Sequence, residues 1–147
     1  MIDYINVTSH EITMLLCKKL KTGDCPESEY HQTCGDCEYG EIVDIQPSGV
    51  AVEATMKEEM VRRENGLQLV RTKFVPKPQS DQELATIENE YFYLKDAIPI
   101  IIGSIIAAQA YPGRVYGTVP VPGYERVPPD QKLVRSDKFI TFEGVSR

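Results

Sequence analysis

The chain lacks most features that would announce a function. Its longest apolar stretch, Ala97 to Tyr111, is broken by Pro99, Gly103, Ser104 and Gln109, well short of the about 20 apolar residues a membrane span needs. The first thirteen positions hold neither a basic start nor an apolar core of a secretory leader, so the expected compartment is the cytoplasm, with no membrane partner. Positive charge is not in excess: 16 basic residues face 22 acidic ones, for a net charge of −6. That argues against sequence-independent binding to nucleic acid, which needs a clustered positive surface. There is no Ser/His/Asp order, no paired-carboxylate motif, no His-x-Thr pair and no P-loop, so no motif supports an enzyme. If the protein does chemistry, His10, one of only two histidines, is the natural acid–base group.

What is present bounds the answer further. With 147 residues, 41% apolar and 26% charged, the chain fits one domain with its own core. All four cysteines fall between positions 17 and 37, three of them as Cys25-x8-Cys34-x2-Cys37 with His31 between. In a reducing compartment such crowding favours metal over disulfides. A tetrahedral structural zinc held by Cys25, His31, Cys34 and Cys37, or with Cys17 as one ligand, is one reading. Four reduced thiols in a polar loop is the other. A redox role for Cys34 and Cys37 is disfavoured, because no helix pattern follows them.

Periodicity places the elements. Residues 2–8 open as a strand. Thr8-x-x-Glu11 resembles a capping box with Ile12, Leu15 and Leu16 at helical spacing, yet His10, Ile12, Met14 and Leu16 also alternate as in a strand. Glu41 to Gln46 is a strand, followed by a Pro47-Ser48-Gly49 turn. Asn65-Gly66 is the clearest hairpin signal, between alternating Val50 to Met56 and Leu67 to Val75. The two mostly apolar faces of Leu67 to Val75 imply a sheet covered on both sides. Ser80-x-x-Glu83 is expected to cap a short helix carrying Leu84, Ile87 and Tyr91. Ile98 to Ile102 is a buried strand, Gly103-Ser104 breaks it, and Ile105 to Tyr111 is a short helix ended by Pro112-Gly113. Arg114 to Val121 forms a strand, and Lys132 to Arg135 with Lys138 to Phe142 a last hairpin about Ser136-Asp137. The expected fold is a single α+β domain over 1–147: a mixed, mainly antiparallel sheet, two short helices, a Cys-rich loop insertion at 22–39 and a linker-plus-helix insertion at 76–90.

Two further places could carry a ligand. A buried strand turning through Gly103-Ser104 into a helix leaves backbone amides that favour phosphate or carboxylate; Arg114 and Tyr116 on the following strand would add charge and stacking. The plainer reading is that Gly103 makes a tight turn and Ser104 caps the helix. Asn6, Thr8, Ser9 and His10 form a polar group at the end of the first strand, which would bind a ligand or simply make a capped turn. The hairpin carries Lys57, Arg62, Arg63, Arg71, Lys73 and Lys77 among Glu53, Glu58, Glu59 and Glu64, a mixture typical of a solvated surface. Apart from Phe74 it has no interleaved aromatics for base stacking.

Taken together, Asn6-Val7-Thr8-Ser9-His10, Gln46-Pro47-Ser48-Gly49-Val50-Ala51-Val52, Gly66-Leu67-Gln68-Leu69-Val70-Arg71-Thr72 and Ile100-Ile101-Ile102-Gly103-Ser104-Ile105-Ile106-Ala107-Ala108-Gln109-Ala110 resemble a group of short, uncharacterised phage and prophage proteins. Those begin with Asn-Leu-Thr-Pro-His and continue through Pro-Pro-Ser-Gly; here Ser9 stands in place of the usual Pro. The shorter relatives bring the first two motifs into a hairpin, which favours a strand over residues 10–20, with the Cys segment decorating its tip. The resemblance carries no activity to transfer. It implies a phage accessory protein in the host cytoplasm. With no catalytic motif, the expectation is capture of a small phosphate-bearing, nucleotide-derived ligand, such as a host defence signal, by a homo-oligomer. The rivals are a protein-interaction module with a zinc knuckle, and a phosphodiesterase or nuclease using His10.

Overall fold

The computed structural model describes residues 2–17, 40–93, 96–128 and 131–144. Strand β1 (Ile2–Asn6) and strand β2 (Ile12–Cys17) are separated by buried Val7 and a polar turn at 8–11, so Thr8-x-x-Glu11 starts no helix. Alternation wins over the helical spacing because β2 has partners on both sides. It pairs antiparallel with β3 (Gly40–Ile45), from Ile12 opposite Ile45 to Cys17 opposite Gly40. It also pairs in parallel with β8 (Val134–Ile140), whose other edge holds β7 (Gly117–Pro120). The order β3-β2-β8-β7 makes a mixed four-stranded sheet. Strand β1 pairs in parallel with β6 (Ile98–Ile102), and single bridges at Asn6–Pro47 and Ile102–Tyr116 link the ladders. The fold is α+β.

Three expectations fail here. Ser136-Asp137 is not a turn: β8 runs straight through it, because the Arg135 guanidinium pairs with the Asp137 carboxylate at 2.8 Å and so lets a polar stretch stay in the ladder. Ser80 does not cap its helix. Helix α1 (Pro78–Phe92) starts three residues earlier than such a cap would set it, with Pro at its first position and Lys77 as an N-cap that makes no side-chain bond. Ser80 is buried instead, accepting the Glu53 amide at 2.9 Å. Finally, the hairpin of β4 (Ala54–Glu64) and β5 (Leu67–Pro76) is not covered on both sides. It is a two-stranded ribbon whose residues are exposed along most of its length. Only its base enters the core, through Ala54 and Phe74. Its turn is as expected: Asn65 and Gly66 both take positive φ, 52° and 78°, as a type I′ turn requires.

The main core joins Val7, Val52, Leu84, Ile101, Val115 and Tyr111 with the Ala face of α2 (Ile105–Ala110). The Tyr111 hydroxyl accepts the Lys77 amide at 3.0 Å and lies 2.9 Å from the Glu53 carbonyl, to which it donates, fastening the hairpin base to the start of α1. A second cluster, Ile12, Met14, Ile102 and Val134, sits under β2 and β8. Among the described residues no helix is long and apolar enough to cross a membrane.

Candidate functional site

The turn after β1 is organised by one buried amide. Asn6 is 1% exposed. Its Nδ2 donates to the carbonyls of His10 at 2.7 Å and Ile45 at 3.0 Å. Its Oδ1 accepts the Thr8 amide at 2.9 Å and lies 2.6 Å from Thr8 Oγ1. A buried side chain with every polar group used holds its surroundings in one geometry. Asn6 therefore positions Thr8 and His10 rather than meeting a ligand alongside them.

The second turn leaves β6. Gly103 is required by packing: a Cβ there would come within 2.6 Å of Val115 Cγ1 and 3.2 Å of Ala107 Cβ. Its amide donates to the Tyr116 carbonyl at 2.9 Å. Ser104 is the N-cap of α2, its Oγ accepting the Ala107 amide at 3.0 Å. The plainer reading of both residues thus accounts for their backbone roles. Two amides on which an anion would depend are already engaged.

The two turns nevertheless meet. Thr8, His10, Gly103 and Ser104 line one cleft of about 630 Å³, together with Thr13 and Lys132. Glu11, Ile12, Ile105, Thr118 and Val134 complete its walls. Parallel pairing of β2 with β8 sets Val134 opposite Met14, which brings Lys132, two residues before, to the wall of the cleft. Among the described lining residues Lys132 is the one lysine or arginine. The Glu11 carboxylate accepts Gln46 Nε2 at 2.5 Å. The result is a pocket of the size that takes a small molecule, lined by apolar Ile12, Ile105 and Val134 and by the polar residues Thr8, Thr13, Ser104 and Thr118.

Other expected site residues lie elsewhere. Ser9 is exposed and does not line the cleft. Arg114 is held on α1: its Nη1 reaches Asp81 at 2.7 Å and its Nη2 reaches Glu88 at 2.7 Å. The Glu88 hydrogen bonds raise the guanidinium pKa further above its ordinary value. The Tyr116 hydroxyl donates to the Gly113 carbonyl at 3.2 Å. Neither faces the cleft. Cys25, His31, Cys34 and Cys37 fall outside the described residues. A second groove of about 480 Å³, between β1 and α1, is walled by Glu83 and Glu90, the wrong sign for an anion.

From sequence, Glu11 has only a capping role and Lys132 only a place in a strand, and the alternation of His10, Ile12, Met14 and Leu16 puts Thr13 on the other face; nothing local marks any of the three as lining a site. Comparison with protein-family models, curated proteins and solved structures returns no match.

Proposed function

We propose that this small α+β domain binds a phosphate-bearing, nucleotide-derived small molecule in the cleft between the Thr8–His10 turn and the Gly103–Ser104 turn. The observation that carries the reading is the convergence of these two turns, far apart in sequence, with Lys132 on a single cleft of about 630 Å³. Lys132 and the Ser104 hydroxyl suit phosphate oxygens, whereas the Thr13 hydroxyl donates to Asp44 at 3.0 Å. Glu11 suits the hydroxyls of a ribose or the amine of a base. Ile12, Ile105 and Val134 suit a base ring. With the likeness to short phage proteins, this becomes capture of a host defence signal without turnover.

The test is a thermal-shift and calorimetric screen of the full chain against cyclic and linear nucleotides. A ligand at about a hundred times its Kd stabilises the fold by about 2.7 kcal/mol, or about 8 °C for a chain of this size. Lys132→Ala should weaken that binding by about tenfold or more and leave the free protein's melting unchanged. No shift with any phosphate-bearing ligand overturns the reading. Chromatography of the recovered ligand decides between capture and a His10 enzyme: an intact ligand supports capture.

A further inference from the structure

The β4–β5 ribbon leaves the body of the protein with Met56, Met60, Val61, Leu67 and Val70 all exposed. A lone two-stranded hairpin is marginal in water, and an open strand edge is a template for another strand. One face of the ribbon is turned toward the body, where Glu59 of β4 and Arg71 to Phe74 of β5 share a groove with Gln109 and Phe142. The outer edge of β4 has no strand beside it among the described residues.

The sequence of that edge is self-complementary. Residues 57–64 read Lys-Glu-Glu-Met-Val-Arg-Arg-Glu. Laid antiparallel against itself about the Met60–Val61 midpoint, Lys57 meets Glu64, Glu58 meets Arg63, and Glu59 meets Arg62, each pair made twice. In an antiparallel pair related by a two-fold axis, facing residues carry their side chains to the same side of the sheet. These partners are separated by odd numbers of positions, so in a regular strand they would point to opposite faces. The ladder with β5 is not regular. Its register shifts between Met60, opposite Val70, and Arg62, opposite Leu69. This bulge inverts the alternation. Glu58 and Arg63 then share the face of Thr72 and Gln68, while Lys57, Glu59, Arg62 and Glu64 share that of Lys73, Arg71, Leu69 and Leu67. The irregularity sits at the centre of the charge palindrome, and only with it do the partners meet.

We infer that β4 is the interface with a second copy of this chain, joined edge to edge across a two-fold axis at Met60–Val61. The pairing does not depend on what the cleft binds. It puts carboxylates beside Lys57, which otherwise faces Lys73 directly across the ribbon. It also extends the solvent-exposed Arg62–Glu64 pair, 2.9 Å within one chain, into a network shared by two.

Sedimentation velocity on the full chain, in a concentration series up to about 100 µM, should show a dimer that weakens as salt is raised. E58R/E59R and R62E/R63E should each raise the dimer Kd by about a hundredfold, with circular dichroism confirming that the fold is kept. Mixing these two variants should restore a dimer containing one of each, and the quadruple variant should restore its own dimer. A wild-type monomer throughout the series, a dimer untouched by either reversal, or no recovery on mixing overturns the inference.

Discussion

Asn6 is the side chain on which the candidate site most depends, and Asn6→Asp probes it with almost no change of shape. The new carboxyl can still accept the Thr8 amide where Oδ1 now lies at 2.9 Å. Its other oxygen would replace Nδ2, 2.7 Å from the His10 carbonyl and 3.0 Å from the Ile45 carbonyl. Two donated hydrogen bonds become two acceptor–acceptor contacts at a residue 1% exposed. Each buried carbonyl left without its donor costs about 1–3 kcal/mol. With water reaching the outer one, the sum is about 3 kcal/mol, or about 9 °C in Tm for this size of chain. The deficit should narrow in acid, because burial favours the protonated carboxyl and its O–H can donate to one carbonyl. Thermal and urea unfolding at neutral and acid pH measure this directly. A neutral-pH shift below about 2 °C would mean that Asn6 does not hold the turn. Thr8 and His10 would then lack the fixed geometry assigned to them.

Two other outcomes follow from the same structure. Arg114→Met removes a half-exposed triad with Asp81 and Glu88, so it should cost about 1 kcal/mol and leave nucleotide affinity unchanged; lost binding in titration calorimetry would move the site away from the Lys132 cleft. Tyr91 donates to Asp3, and this bond, with burial and nearby carboxylates, pushes its pKa from 10.0 up to about 12. The folded state therefore keeps a proton that the unfolded chain loses, so the contribution is whole below pH 10 and fades as pH rises toward about 12. Wild type should lose stability more steeply than Tyr91→Phe across that interval, and parallel urea-midpoint curves would refute the bond.

How far sequence reasoning reached depended on how local each cause was. Asn65-Gly66 announced its turn because the positive φ of two adjacent residues is a local demand. The strand–Gly103-Ser104–helix corner was legible for the same reason, and so was the plainer reading of its two residues. Residues 12–17 were ambiguous by periodicity and were decided by the antiparallel partner at 40–45. The exposure of the ribbon was hidden, since apolar residues on both faces look alike whether a sheet or only water covers them. Ser136-Asp137 misled because the Arg135 pair that keeps it in a strand is invisible to turn propensity. Lys132 reaches the cleft only through the pairing of strands more than a hundred positions apart, and no short window of sequence contains that fact.

The parallel joining of β1 to β6, with Ile2 opposite Ile98, governs the order in which the protein can assemble on the ribosome. Strand β1 leaves the ribosome long before β6, the strand it pairs with, has been made. The β4–β5 ribbon is contiguous in sequence and closed by a two-residue turn, so both of its strands exist once Pro76 has been made, whereas the cleft waits for β8. Such long-range closure is slow by nature, so the outer edge of β4 lies open to a second nascent copy before the cleft of either is complete.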